Sequence, residues 1–330
     1  MKVDLHDRPE TVGPGAWNAL HARTRLRAPF LGWTWHDEWV RAFAAGRRLE
    51  LWQVTEDDGT LVALLPLVAI DAATSRFVGG ADVSDYLDLI CVAGREEEAW
   101  TALLAARGAS APVWELHAVP GGSPTVRALP GLAAAAGLTV DVAVEERCPI
   151  LDPLPSSWET YLAGLTGKQR HELTRKIRRL DREAPDARVT AAVAPADVAR
   201  RLDDFLALHR LSRVGKARFM DDRMEGFFRG VITALAGEQS ARIWLLDADR
   251  GPIAAFVTLE WNGTVGLYNS GFRPECAALS PGLVLLAHVV RDAIERGKQR
   301  FDFLRGEERY KYDFGPTSEE VCAVTIRPAS

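Results

Sequence analysis

Two short apolar runs on either side of an acidic, glycine-containing turn form the clearest hydrophobic pattern in the chain. Leu51-Trp52-Gln53-Val54 leads through Asp57-Asp58-Gly59 into Leu61-Val62-Ala63-Leu64-Leu65-Pro66-Leu67. This spacing predicts a β-hairpin. The pattern returns 192 residues later as Ile243-Trp244-Leu245-Leu246, Asp249-Arg250-Gly251 and Ile253-Ala254-Ala255-Phe256-Val257-Thr258-Leu259. Trp, Asp, Gly, Ala and Leu recur without a gap at 52/244, 57/249, 59/251, 63/255 and 67/259.

The flanking segments repeat as well. Residues 35–46 and 227–237 each read as an apolar-periodic helix ending at glycine, the favoured C-cap. Residues 96–108 and 282–297 do the same, and each leads to a short strand, Val113-Trp114-Glu115-Leu116 or Arg300-Phe301-Asp302-Phe303-Leu304. A constant offset and a shared element order indicate an internal repeat. The expected domains are residues 1–150 and 151–330, meeting at the proline-rich Leu151-Asp152-Pro153-Leu154-Pro155-Ser156-Ser157. Ser157 is placed to cap a helix starting at Trp158.

Composition narrows the class. With 330 residues, 47% hydrophobic and 26% charged, the chain is globular and long enough for two domains, which excludes a disordered protein. Cys91, Cys148, Cys276 and Cys322 show no metal-ligand or redox spacing, so no metal is expected. The longest stretch without Asp, Glu, Lys or Arg, residues 276–290, is interrupted by Pro281 and Gly282. It falls short of the roughly 20 apolar residues of a membrane span. No secretory signal follows Met1-Lys2-Val3-Asp4, so the expectation is a soluble, cytoplasmic protein with no membrane span. A net charge of −5 argues against a generic nucleic-acid binder, DNA included.

Several segments can carry chemistry. Ser280-Pro281-Gly282-Leu283 opens a helix after the strand at 264–271; free N–H groups at a helix start can cradle phosphate, and the same residues are also good capping. In the segment from Phe301 to Gly315, alternation of Phe301 and Phe303 puts Asp302 on the opposite strand face, and Arg305-Gly306 turns the chain toward Tyr310 and Lys311. Arg and Lys so close can hold phosphate or carboxylate, with Tyr as a proton donor, or can form a solvated charged loop. Asp85 and Asp88, after Gly79-Gly80, suit a general base or a turn cap. The amphipathic helix from Lys168 opens a stretch to Arg188 with eight basic and four acidic residues, suited to a CoA phosphate or a tRNA acceptor end, or to a solvated face. His209, near the end of the helix at 196–211, is a lone histidine.

Together these segments resemble a known family. The residues that carry the resemblance are Pro29-Phe30 with Trp35 and Trp39; Leu64-Leu65-Pro66-Leu67; Ser84-Asp85-Tyr86; Lys168, Arg170, Leu173 and Arg175; Leu208-His209; Gly251, Ile253, Ala254 and Ala255; Tyr268-Asn269-Ser270-Gly271-Phe272; Ser280-Pro281-Gly282; and Phe301 to Gly306 with Tyr310-Lys311-Tyr312. The chain resembles the tandem GNAT N-acyltransferases of the CelD-like group associated with cellulose biosynthesis. It is more distantly similar to the FemAB peptidyltransferases.

The resemblance implies an α/β (α+β) fold of two tandem GNAT-like domains, each a twisted mixed β-sheet flanked by helices. It places an acyl-thioester donor, acetyl-CoA or another acyl-CoA, between the strands at 253–260 and 264–271, with its pyrophosphate near Ser280, Gly282 and Leu283 and further contacts from Lys168 and Arg170. The acyl group goes to a small-molecule amine, with Asp85 or Asp302 as base and Lys311 stabilising charge. Tyr86, His209, Tyr268, Arg305 and Tyr310 then bind substrate. The Gln/Arg-x-x-Gly-x-Gly/Ala loop of the general GNAT pattern is absent. A carrier protein or aminoacyl-tRNA therefore stays open as donor, as in a FemAB-like transferase. A third reading is a non-catalytic GNAT-fold subunit of a polysaccharide or envelope assembly.

Overall fold

The computed structural model describes residues 1–108, 112–249 and 251–329, so Arg250 of the second hairpin turn lies outside the described residues. Contacts divide the chain into two units, Met1–Arg147 with Glu319–Ser330, and Cys148–Ser318.

The first unit contains β1 (Lys2–His6), α1 (Gly13–His21), α2 (Trp33–Phe43), β2 (Leu49–Thr55), β3 (Leu61–Ala69), β4 (Thr74–Phe77), β5 (Ile90–Cys91), α3 (Glu96–Arg107), β6 (Val113–Pro120), α4 (Pro124–Ala135) and most of β7 (Leu138–Leu151). The predicted hairpin is β2 and β3, antiparallel with Trp52 opposite Leu65, and Gly59 closes its turn at φ +86°. β4 and β6 are parallel, as a connection through a helix requires, and α3 supplies it. Glutamates 96 to 98 in the first turn of α3 and Arg107 in its last complement the helix dipole, and Gly108 ends it at φ +72°. Trp17, Trp35, Trp100 and Trp114 are fully buried in this unit.

The second unit contains the end of β7, then α5 (Trp158–Gly164), α6 (Gly167–Glu183), β8 (Arg188–Ala192), α7 (Pro195–Ser212), α8 (Val214–Phe219), α9 (Asp222–Gly237), β9 (Ala241–Ala248), β10 (Gly251–Trp261), β11 (Thr264–Phe272), α10 (Pro281–Glu295), β12 (Arg300–Asp302), α11 (Arg309–Tyr312) and the start of β13 (Thr317–Pro328). Ser157 caps α5 through Thr160 N, and Thr166 and Gln169 form a capping box on α6. Alternate positions of β9 and β10, namely Trp244, Leu246, Ala254 and Phe256, share a core with Leu173 and Leu180 of α6 and with eight buried residues of α10. Burying an apolar side chain contributes about 1.5–3 kcal/mol, so α10 is held by packing far more than by helix propensity.

Each half thus runs strand, two helices, three strands, helix, strand, helix, strand, apart from the short β5 in the first half and α5, α6 and α8 in the second. The C-terminal β13 pairs with β6, and the last residues of β7 pair with β12, where Phe301 faces Leu151.

One expectation is corrected. β10 and β11 stay paired from Ala254/Phe272 to Trp261/Thr264, with one bulge that leaves Tyr268 unmatched, so no donor enters between them. The parallel ladder of β11 with β12 instead stops at Gly266/Asp302, and the sheet opens there. The opening follows from the chain after β12: Leu304 takes φ +56° while its N–H donates to the Asp302 carboxylate at 2.8 Å, which turns the backbone away. Phe301 and Asp302 of β12 and the following Phe303 are all buried, so the strand is enclosed on both faces.

Candidate functional site

The second unit encloses a cavity of about 280 Å³ at the C-terminal end of β11. Four pieces of chain build it: the end of α7 with α8, the paired strands β10 and β11, the start of α10, and the loop after β12. At the first, Ser212 Oγ accepts from Phe272 N at 2.8 Å and donates to Leu208 O at 2.7 Å, which fixes the end of α7 to the strand edge. Arg213 and Lys216 follow at the wall. Phe256, Phe272 and Leu283 supply apolar surface.

Lys216 Nζ donates to Ser270 through its carbonyl oxygen and, at 3.1 Å, its Oγ. Burial, reinforced by the neighbouring Arg213, lowers Lys216 from its ordinary value to about 8. The Tyr310 hydroxyl bonds the same serine, and burial pushes this phenol up, so it keeps its proton at neutral pH. For Glu308 burial opposes ionisation, but Lys311, 3.0 Å away, and Lys216 outweigh it and hold the carboxylate below its ordinary range. A neutral phenol, a carboxylate and an amine near neutrality therefore open on one space.

The mouth is the start of α10. Ser280 stands at φ +53° and forms no side-chain cap bond, contrary to the capping expectation. The first helical bond is Val284 N to Ser280 O, which leaves the N–H groups of Gly282 and Leu283 without a helical acceptor. A Cβ at Gly282 would meet nothing within 4 Å, so the approach is open. Two free N–H groups at the positive end of a 15-residue helix suit a phosphate.

Of the residues singled out in the sequence, Ser280, Gly282, Leu283 and Tyr310 line this cavity. Asp302 and Lys311 do not. Asp302 is 1% exposed and binds Arg300 at 3.0 Å. Lys311 Nζ donates to the carbonyls of Leu304, Arg305 and Gly306 at 3.3, 2.8 and 2.9 Å, so both residues shape the loop that carries Glu308 and Tyr310. Arg305 is half-buried in that loop. Tyr268 stacks on Phe228 at 5.5 Å. His209 is buried behind β11 with Asn269 beside it, its Nδ1 has no partner among the described residues, and burial lowers it to about 3. Lys168 and Arg170 are exposed at the start of α6 and line no part of the cavity. Asp85 and Tyr86 belong to the first unit, where Tyr86 packs against Phe30.

Sequence reasoning missed Ser212, Arg213, Lys216, Phe256, Ser270 and Glu308 as site residues. Ser270 and Glu308 lay inside quoted motifs. Lys216 carried no signal beyond the basic spacing of Arg213, Lys216 and Arg218.

The first unit has its own cavity, about 210 Å³, lined by Arg25, Asp88, Glu96 and Ser123 among others. Asp88 accepts from Ser123 Oγ, Thr125 Oγ1 and Leu89 N, yet burial outweighs these bonds and raises it to about 6.

The family model of the acetyltransferase (GNAT) domain matches residues 167–312, the stretch that builds the cavity between α7 and the loop after β12. No curated protein matches the chain by sequence. Among solved structures, FemX shares the fold with TM-score 0.63 at 12% identity, covering 98% of this chain and 97% of FemX. A conserved protein from Bacteroides thetaiotaomicron gives 0.61 at 12% identity, covering 99% and 100%. The C-terminal domain of a protein described as a lysylphosphatidylglycerol synthetase from Agrobacterium fabrum gives 0.58 at 14%, covering 88% and 86%. At such identities the likeness concerns the fold. The match identifies an acetyltransferase (GNAT) domain within residues 167–312, and the chain as a whole shares its fold with FemX. Both halves carry the same element order, and the second half holds the matched domain. Among the described residues no helix is long and apolar enough to cross a membrane.

Proposed function

We propose that the second unit binds an acyl-CoA thioester and transfers its acyl group to a small-molecule amine. On this reading residues 151–330 form the donor-binding domain and residues 1–150 the companion GNAT-like domain. The observation that carries the reading is the convergence of the α10 N–H pair, Tyr310 and Glu308 on one cavity. The donor supplies an activated carbonyl. Gly282 and Leu283 N–H groups hold its phosphate, and Phe256, Phe272 and Leu283 flank the arm that reaches the reacting carbon. A volume of about 280 Å³ accommodates the thioester and acyl group but leaves the nucleotide outside.

Glu308, ionised at neutral pH, takes the proton of the acceptor amine, and Tyr310, protonated, gives one to the departing sulfur. Lys311 and Asp302 act by holding the loop, which gives each a positioning role in place of direct chemistry. Asp85 is given no step. The test is calorimetry with CoA and acetyl-CoA, followed by turnover with a panel of amines for the parent and Tyr310→Phe. Binding of CoA with a kcat loss of about 10²-fold or more in Tyr310→Phe supports the reading. Absence of CoA binding overturns it.

The FemAB-like alternative, an aminoacyl-tRNA donor, draws on the exposed basic residues of α6. Much of that charge is already paired: Arg175 and Lys176 lie against Glu172, and Arg179 and Arg182 against Glu183. This leaves few cations for a phosphate backbone, so tRNA binding at low salt with a shallow salt slope is the most this face supports.

A further inference from the structure

We propose that Lys216 is a self-acylation site: when no acceptor is present, its Nζ takes the acyl group of the thioester held in the same cavity, and the resulting amide closes the site. The proposal rests on the acyl-thioester reading above and goes beyond it.

The geometry supplies the nucleophile. Lys216 is the one lysine that lines the cavity among its described residues. Lys311 is engaged by three carbonyls and Glu308. The two hydrogen bonds of Lys216 Nζ among the described residues both go to Ser270, one to the carbonyl oxygen and one to Oγ. A neutral amine has two N–H groups and one lone pair, so this arrangement satisfies both hydrogens and leaves the lone pair unused. Glu308, which lines the same cavity, favours the charged form. Burial, reinforced by Arg213, outweighs it and lowers the amine to about 8. At about pH 7.5 the neutral fraction then exceeds that of an ordinary surface lysine roughly a hundredfold. Lower basicity gives part of this back, leaving an advantage of about tenfold.

The step balances without a further reagent. The Nζ lone pair attacks the thioester carbonyl carbon, a C–N bond forms and the C–S bond breaks. The proton lost by nitrogen passes to Glu308, Tyr310 gives its proton to the leaving sulfur, and exchange with solvent restores both. The products are an Nε-acyl-lysine and a free thiol. An amide is far less activated than a thioester, so the group does not move on to an amine acceptor. The modified side chain occupies a cavity of only about 280 Å³ and removes a positive charge from it.

The experiment uses the full chain incubated with acetyl-CoA and no amine, with CoA as control. Intact mass and peptide mapping follow acetylation at Lys216 and at the exposed Lys2, in the folded protein and in urea. Donor binding is measured separately by calorimetry. The expected result is acetylation of Lys216 about tenfold faster than of Lys2, loss of that preference in urea, and a fall in CoA affinity in proportion to modification. Lys216→Arg abolishes the fast site. Binding of acetyl-CoA without preferential modification of Lys216 overturns self-acylation and leaves the acyltransferase reading intact. Failure of acetyl-CoA to bind overturns both.

Discussion

Gly271 lies directly against the backbone of His209, so that a Cβ at 271 would stand 2.4 Å from the His209 amide nitrogen. Because backbone cannot swing aside as a side-chain tip can, α7 approaches β11 this closely only over a glycine. The contact brings Ser212 within bonding distance of Phe272 and places the following α8 so that Lys216 reaches Ser270. Gly271→Ala is expected to destabilise the protein by about 3 kcal/mol or more and to abolish donor binding. Urea unfolding followed by circular dichroism checks this, and parental stability in the variant would contradict the close approach.

Lys311 is expected to behave as a clamp. Lys311→Ala leaves three carbonyls without their donor in a buried place and Glu308 without its cation, a loss of about 2–4 kcal/mol. Acyl transfer falls with it because Glu308 and Tyr310 sit on the released loop. Denaturation midpoint and kcat measured on the same variant test the idea; lost activity at unchanged stability would instead mark direct contact with substrate.

Ser280→Asp separates helix stability from ligand affinity. Aspartate tolerates the positive φ of this position and favours a helix N-terminus, so stability is retained or rises by up to about 1 kcal/mol. The same charge repels a phosphate, and CoA affinity is expected to fall about tenfold or more. Thermal unfolding and calorimetry together decide; unchanged CoA affinity would remove the phosphate from the start of α10.

Asp88 gives the fold a pH dependence. Its ordinary value of 3.8 rises to about 6 in the folded protein, so the folded state binds the proton more tightly than the unfolded chain does. This contribution is fully present below about pH 4 and is lost as pH rises through about 6. Two units correspond to about 3 kcal/mol. Asp88→Asn is expected to flatten the stability profile over pH 4 to 6 relative to the parent, as read from urea midpoints at several pH values. Parallel profiles would show that Asp88 titrates normally.

The repeat was legible because a hairpin is local. Gln53 and Leu64, or Trp244 and Phe256, meet across a turn whose length and glycine are written in neighbouring residues. Helix limits were legible for the same reason, with Gly108 and Gly297 ending α3 and α10 at positive φ. The start of α10 could be singled out as a candidate for the site, although the bare helix end without a serine cap could not. Lys216 stayed hidden because nothing within its own segment distinguishes it from a surface lysine. Its depressed basicity comes from burial and from Arg213, and its partner Ser270 is remote in sequence.

Asp302 and Lys311 show the reverse case. Their residue types and spacing suggested chemistry, yet the fold closes both into the loop after β12. A carboxylate that accepts Leu304 N and an ammonium that caps three carbonyls serve backbone groups that no sequence pattern reveals.

By itself the sequence determined the two copies of one element order, the glycine ends of α3 and α10 and the candidate segments for the site, because periodicity, capping and turn chemistry act over a few residues. The tertiary structure alone decided where the sheet opens and which charged side chains face the cavity. Burial and long-range charge set those outcomes, and both depend on residues brought together from α7, β11, α10 and the loop after β12.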